Sequence, residues 1–288
     1  MKPSAADISI QAYESDGLLL EQYAYTAGTV EPIPKHSHED YQFALSFDHQ
    51  GEYTYRGEVH QIPKGQLSIV HSGEVHAPSD RPHLPEPAHF AMAHIHPKWV
   101  STVFSDVVGK PAQSPFFAAV LPKDAFLNLL FLRLSTVTAQ GQSQLSKDVA
   151  LWDFLSCLIG RYGCDRPTPK LSKSARTDIL AARDYLHAHY DQDISLEDLS
   201  AIAGLSRFHF CRLFRKEMGV SANTYQTHLR LAQARKLLAK GRLISEVAIA
   251  TGFYDQSHFG KHFKRYVGTT PAKYTLQKPA SRFITSAF

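Results

Sequence analysis

The chain of 288 residues contains very few cysteines and no long uninterrupted apolar run. Its three cysteines, Cys157, Cys164 and Cys211, have neither the spacing of a zinc site nor that of a disulfide framework, which favours a reducing compartment. No run of about 18 apolar residues is present, and the N-terminus lacks a basic start followed by an apolar core. These absences argue against secretion and membrane insertion, and they predict a cytoplasmic protein.

The composition predicts two ordinary globular domains of opposite charge. Apolar residues make up 43% of the chain, and this length is typical of about two domains. Residues 170–288 hold 19 Lys and Arg against 9 Asp and Glu, or +10, which leaves 12 against 18, or −6, for residues 1–169. A basic half is typical of nucleic-acid binding. A basic membrane-surface segment is the alternative, but these charges are spread over several segments instead of one cluster.

The last third of the chain repeats one unit twice. Five residues recur 49 positions further along the chain, which indicates one supersecondary unit used twice. The first set is His209, Phe210, Phe214, Gly219 and Tyr225, and the second is His258, Phe259, Phe263, Gly268 and Tyr274.

Each copy has the local signals of two short helices joined by a tight turn. In the first copy, Ser195 and Asp198 have the spacing of a capping box, and Gly204 can end that helix in a left-handed conformation. In the second copy, the turn glycine is Gly252, and the next helix is predicted from about Asp255. A helix, a turn and a basic second helix form the helix-turn-helix pattern, in which the second helix enters the DNA major groove.

Three stretches of this region follow one known pattern: ISLEDLSAIAGLSRFHFCRLFRKEMG, LRLAQARKLL and VAIATGFYDQSHFGKHFKRYVGTTPAKY. They resemble the DNA-binding domain of the AraC family of bacterial transcription regulators. The resemblance implies a domain over residues 177–277 with two helix-turn-helix motifs, at about 195–218 and 244–267. The chain departs from the family after the first copy, where VSAN replaces the more usual VSP.

The outer faces of the second helices carry the predicted DNA contacts. Arg212 is the best candidate for reading a base, because its planar guanidinium can bond both major-groove acceptors of guanine. Phe208 could contact a thymine methyl or could equally be a packing residue, and Gln256 could read an adenine. Gly260 has no side chain, so the second motif is expected to read less sequence and to hold mainly phosphate. The predicted set is Arg207, Phe208, Cys211, Arg212, Arg215, Gln256, Ser257, Gly260, Lys261 and Lys264.

A third helix, from about Asn223 to Ala239, is predicted between the two motifs. At ~1.5 Å per residue it spans most of the ~34 Å repeat of B-DNA. One copy of the chain is therefore expected to contact two successive segments of the major groove.

The N-terminal half is predicted to be an all-β domain. Residues 17–96 contain short runs of β-branched and aromatic residues between glycine and proline turns. Two segments resemble the two motifs of the cupin barrel, in which two histidines, a glutamate and a third histidine hold a metal. The matching positions here are His36, His38, Gln42 and His76, with Gln42 in the place of the glutamate and His71 in the place of a proline. These four residues are the predicted effector-binding residues.

The histidines leave two interpretations open. Two histidines separated by one residue on a strand share a face, and His76 could add a third imidazole to a zinc, nickel or iron site. The favoured interpretation is that His36, His38 and His76 line a pocket without metal, so no cofactor is expected. A metal-dependent cupin enzyme fused to a helical domain is the alternative function, which Gln42 weakens.

The sequence therefore predicts a multidomain α+β protein. Residues 1–110 are the cupin-like effector-binding barrel, 111–163 a helical dimerisation segment, 164–176 a linker and 278–288 a C-terminal tail. The resemblance implies a sequence-specific regulator of transcription, more commonly an activator, that binds double-stranded DNA and a small-molecule effector. It further implies a homodimer and contact with RNA polymerase, without catalysis.

Overall fold

The structure is a computed structural model that describes residues 5–78, 83–109, 114–164 and 173–275, without the side chains of 173–177. It has a barrel domain, residues 5–164, followed by a helical domain, residues 173–275. No helix in the described ranges has the length and apolar character needed to span a membrane. The predicted tail, 278–288, lies outside the described residues.

The barrel domain begins with ten strands. They are β1 (Ile8–Ser15), β2 (Leu18–Tyr25), β3 (Gly28–Thr29), β4 (Tyr41–Ser46), β5 (Gly51–Tyr55), β6 (Glu58–Ile62), β7 (Leu67–Val70), β8 (His76–Pro78), β9 (His83–Leu84) and β10 (Ala88–Ile95). One antiparallel sheet has the order β1-β2-β10-β4-β7, a second has the order β6-β5-β8, and β3 pairs with β9.

Strand β2 is buried on both faces, which explains why its sequence LLLEQYAY does not alternate. Leu18 and Leu20 pack into the core of the barrel domain, whereas Leu19 and Tyr23 pack against the helical domain. The five-stranded sheet is therefore a wall shared by the two domains.

Three helices and two short strands complete the barrel domain. They are α1 (Pro97–Val108), β11 (Phe116–Phe117), α2 (Ala125–Ala139), α3 (Gln144–Tyr162) and β12 (Gly163–Cys164). Helix α1 lies within residues 1–110, which the sequence predicts to be a barrel without helices. Its start was missed although Pro97 occupies the first turn and the His96 side chain accepts a hydrogen bond from the Lys98 amide.

The predicted linker is bounded by ordered elements on both sides. Cys164 pairs with Phe116 in the β11–β12 ladder, and helix α4 (Lys173–Ala188) begins four residues before the expected domain start at 177. Helix α4 packs on the first motif, because Ile179, Ala182 and Leu186 are buried in the core of that motif. Residues 165–172, the rest of the predicted linker, lie outside the described residues.

Six further helices complete the helical domain. They are α5 (Leu196–Ile202), α6 (Arg207–Met218), α7 (Ala222–Ala239), α8 (Ile244–Ala250), α9 (Gln256–Val267) and α10 (Pro271–Thr275). The predicted Ser195–Asp198 capping box is present. Helix α9 begins next to Asp255, as predicted, and the Asp255 side chain caps it. Ser221 caps α7, so this linking helix starts one residue earlier than expected despite the unusual VSAN sequence.

Candidate nucleic-acid interface and effector cavity

The ten predicted DNA-contacting residues all lie on the second helices of the two motifs. Arg207, Phe208, Cys211, Arg212 and Arg215 are on α6, and Gln256, Ser257, Gly260, Lys261 and Lys264 are on α9. Nine of the ten are exposed, and Gly260 is half-buried. On each helix two phenylalanines face inward and are completely buried. The polar and basic faces are therefore free of the domain core, as a DNA-reading helix requires.

Phe208 is 78% exposed, so the structure does not bury it as a packing residue. Its neighbour Arg207 pairs with Glu197 at 2.7 Å, and both side chains are largely exposed. On the second copy, Lys264 pairs with Glu31 of the barrel domain at 3.1 Å. A predicted phosphate contact is thus already engaged by a carboxylate of the other domain.

A cavity of about 240 Å³ lies between the two main sheets of the barrel domain. One wall is a stack of aromatic rings, with 4.6 Å between the ring centroids of Tyr23 and Phe90 and 5.8 Å between those of Phe90 and Tyr25. Of the predicted effector-binding residues, His36, Gln42 and His76 line the cavity. His38 is not among the lining residues, but its ring centroid is 4.9 Å from that of His76.

The helical domain supplies part of the cavity wall. All the effector-binding residues predicted from the sequence belong to the barrel domain. Arg235 of α7, with Tyr266 and Val267 of α9, lines the cavity together with the barrel residues. A molecule bound there would contact both domains at once. Binding of a molecule in this cavity can therefore influence how the two domains are held together.

A buried ion pair joins the domains beside this cavity. Arg235 binds both carboxylate oxygens of Glu21 on β2, with Nε at 2.9 Å from Oε1, and a guanidinium nitrogen lies 2.7 Å from His94 Nε2. The Tyr274 hydroxyl donates to Glu21 Oε1 at 2.5 Å. Burial alone would raise the pKa of Glu21, but Arg235 and His94 hold that pKa well below its usual range. Glu21 is therefore a carboxylate, and the pair is a charged clamp between the domains.

Further ion pairs surround this clamp. Lys236 pairs with the buried Asp40 at 2.8 Å, and Lys240 pairs with Glu14 at 3.2 Å. Some basic residues of the helical domain therefore form ion pairs with acidic residues of the barrel domain, in addition to any role in DNA binding. This use was not evident from the charge totals.

Residues 20–187 match the family model of the AraC-like ligand binding domain, and residues 199–277 match that of a helix-turn-helix domain. The chain belongs to the AraC family. It is a transcription regulator with an N-terminal ligand-binding domain and a C-terminal helix-turn-helix DNA-binding domain.

Curated relatives of this AraC-family chain are transcription regulators. It is 26% identical over 241 residues to the uncharacterized HTH-type regulator YbfI of Bacillus subtilis, covering 84% of this chain and 86% of YbfI. It is 28% identical over 138 residues to the lactose operon transcription activator of Staphylococcus xylosus, covering 46% of this chain and 49% of that protein.

Solved structures of ToxT from Vibrio cholerae share the two-domain fold. An apo variant superposes with a TM-score of 0.63 at 15% identity, covering 91% of this chain and 98% of ToxT. The unsaturated fatty acid-bound wild type gives 0.55 at 13% identity, covering 96% of each chain. At this identity the likeness shows the fold alone.

Two signals in the AraC-family sequence could have pointed to the clamp. Glu21 is the one charged residue in strand β2, and a buried strand carboxylate requires a partner. Arg235 lies in the middle of the linking helix, next to the completely buried Ala234. Neither segment indicates which residue is its partner, because Glu21 and Arg235 lie 214 positions apart in the chain.

Proposed function

We propose that this chain is a cytoplasmic homodimeric activator that reads its operator with α6 and α9 and responds to a small molecule bound in the barrel cavity. It acts by binding, without catalysis. The observation that carries this proposal is the shared cavity wall, in which Arg235, Tyr266 and Val267 of the helical domain meet the barrel residues. A molecule that contacts both domains favours the arrangement that it binds more tightly.

Within this proposal, the two motifs have different roles on DNA. Helix α6 offers Arg212 and the exposed Phe208 to base edges, so it supplies most of the specificity. Helix α9 offers Lys261 and Lys264 around a glycine, so it mainly holds the phosphate backbone.

Activation is proposed because the Staphylococcus xylosus relative carries the name of a transcription activator. An activator must contact the transcription machinery after binding DNA, and RNA polymerase is the partner that we expect. Reporter expression in cells with the chain present or deleted measures this directly. Lower expression in the presence of the chain would indicate repression.

The dimer is proposed to form through α2 and α3. Several large apolar side chains on these helices are between 39% and 72% exposed: Phe126, Leu129, Leu145, Val149 and Trp152. Several exposed apolar side chains on one pair of helices are what an interface with another chain requires. We expect Trp152→Asp to yield monomers in sedimentation velocity, while Leu243→Asp, at an exposed site on the helical domain, leaves the dimer intact.

The decisive experiment is selection of bound sequences from random double-stranded DNA, using the full chain. One enriched motif with two half-sites per monomer, a helical turn apart, is expected. A thermal-shift screen of small molecules then identifies effectors, and fluorescence anisotropy on the selected DNA measures their influence. Absence of any enriched sequence, or protection of a single groove segment per monomer, would contradict the proposal.

A further inference from the structure

Three histidines converge at the edge of the cavity, of which His38 and His76 are buried and His36 is half-buried. The backbones of His36 and His76 form an isolated antiparallel bridge, with reciprocal hydrogen bonds of 2.9 Å. This bridge brings their ring centroids to 4.3 Å, and the His38 ring lies 4.9 Å from that of His76. One ring nitrogen from each of the three residues lies within 4.8 Å of the others.

The hydrogen bonds of the three rings fix where their lone pairs are. Each Nδ1 is within hydrogen-bonding distance of a backbone carbonyl: His36 with Pro34 at 3.0 Å, His38 with Asp40 at 2.7 Å and His76 with Glu74 at 3.3 Å. A carbonyl oxygen can only accept, so each Nδ1 carries the hydrogen and each Nε2 carries the lone pair. Donation of the second ring N–H to a backbone carbonyl is the usual support for a metal-bound histidine.

A fourth donor lies in the same place. The Gln42 side-chain oxygen is 3.0 Å from His38 Nε2, the nitrogen that carries the lone pair. Two acceptor atoms at this separation can both bind one metal ion that lies to the side of the line joining them.

We propose that His36, His38 and His76 bind a divalent transition-metal ion, with the Gln42 amide oxygen as a fourth ligand. Nitrogen-rich donor sets of this kind suit zinc, nickel, cobalt or iron(II), and not magnesium or calcium. This proposal differs from the interpretation that the sequence favours, because residue spacing does not reveal which ring nitrogen carries the lone pair.

The site also indicates the class of effector, in a step that rests on the proposed function. His36, His76 and Gln42 line the cavity, so the metal's remaining coordination positions open into it. The wall formed by Tyr23 and Phe90 is aromatic. The effector is therefore a small molecule with an oxygen or nitrogen donor for the metal and an apolar body for the aromatic wall.

The metal site is connected to the linking helix. Ser37 lies between two proposed ligands, and its backbone N–H donates to His228 Nδ1 of α7 at 3.3 Å. Metal binding would fix residues 36–38 and thereby hold this contact between the domains.

The test uses the full chain stripped with a chelator and then titrated with cobalt(II), which gives visible d–d absorption when bound by nitrogen ligands. We expect about one cobalt per chain, displaced by zinc. His76→Ala and His36→Ala should weaken binding by at least about 100-fold. His83→Ala, at an exposed histidine outside the cluster, is the matched control and should bind as the parent does.

A second variant covers the case in which loss of a buried histidine prevents folding. Gln42→Glu adds a negative ligand, so we expect cobalt affinity to rise by about tenfold or more. Stoichiometry well below one, an unchanged affinity in His76→Ala, or no gain in Gln42→Glu would overturn the site. These measurements need neither DNA nor effector, so their failure would leave the proposed regulation of transcription standing.

Discussion

The two helix-turn-helix motifs have matching sequences but different neighbours. The first motif buries Phe210 and Phe214 in a core built with α4 of the same domain, with Val75 as a barrel residue at its edge. The second motif buries Phe259 and Phe263 in a core that it shares with strands β1, β2 and β10 of the barrel domain. One motif therefore has its own core, and the other depends on the sensor for part of its core.

The two repeated tyrosines show the same difference in the hydrogen-bond partners of their hydroxyl groups. The Tyr225 hydroxyl lies 2.8 Å from His187 Nε2, within the helical domain. The equivalent Tyr274 hydroxyl donates to Glu21 of the barrel domain. A molecule in the cavity is therefore expected to alter the second motif before the first.

The largest expected effect comes from breaking the clamp of the second motif. Arg235→Ala leaves the Glu21 carboxylate buried without its cation, which should lower the free energy of unfolding by about 3–5 kcal/mol. Arg230, which donates to the Tyr190 and Gln192 carbonyls beside the first motif, is the matched arginine on α7. Arg230→Ala should cost about 1–3 kcal/mol, and urea denaturation measures both.

Removing both charges separates the clamp from general damage to α7. Combining Arg235→Met with Glu21→Leu should recover much of the lost stability, because no buried charge remains unpaired. An equal loss in Arg230→Ala and Arg235→Ala would contradict the distinction between the two motifs.

The two turn glycines provide a second matched pair. Gly204 and Gly252 both have positive φ, +60° and +78°, so alanine should cost roughly 1–2 kcal/mol at either position. A Cβ at Gly204 meets nothing within 4 Å, whereas one at Gly252 would lie 2.2 Å from the Asp191 carbonyl oxygen. Gly252→Ala should therefore cost a further ~1–3 kcal/mol of unfolding free energy. Equal melting curves for the two variants would show that this close approach is absent.

DNA binding should distinguish the motifs in a third way. We expect Arg212→Ala to weaken binding to the selected operator by about 1–3 kcal/mol and to relax preference at one base pair. Lys261→Ala should weaken binding to operator and random DNA alike. Fluorescence anisotropy measures both, with Lys123→Ala, an exposed cation of the barrel domain, as the control. Equal losses on operator and random DNA for Arg212→Ala would argue against base reading.

The smallest expected effect concerns the ion pair between Lys264 and Glu31. Glu31→Gln should release Lys264 for phosphate and strengthen DNA binding by less than about fivefold, since both groups are exposed. Lys264→Ala should lower the slope of the logarithm of the DNA-binding constant against the logarithm of the salt concentration by about 0.9 in magnitude. Salt titrations of the two variants check this, and a weaker complex with Glu31→Gln would exclude competition between the carboxylate and DNA.

Local signals in the sequence were sufficient for most of the helical domain. The capping box of Ser195 and Asp198 forms as expected, α9 begins next to Asp255 as expected, and all ten predicted contacts lie on α6 and α9. Such caps act over three residues, so they can be read directly from the chain. Helix α1 was missed because the barrel was predicted to continue to residue 110, although the strand pattern ends at residue 96, just before Pro97.

The sequence by itself determined the order of the domains, the two repeated motifs and the faces of α6 and α9 that carry charge, because each depends on residues a few positions apart. Only the tertiary structure decided that the second motif docks on β2, that Arg235 meets Glu21 and that ring nitrogens of three histidines converge. The alternation of a strand shows which side chains share a face, but not what covers that face. That choice depends on packing between residues more than 200 positions apart.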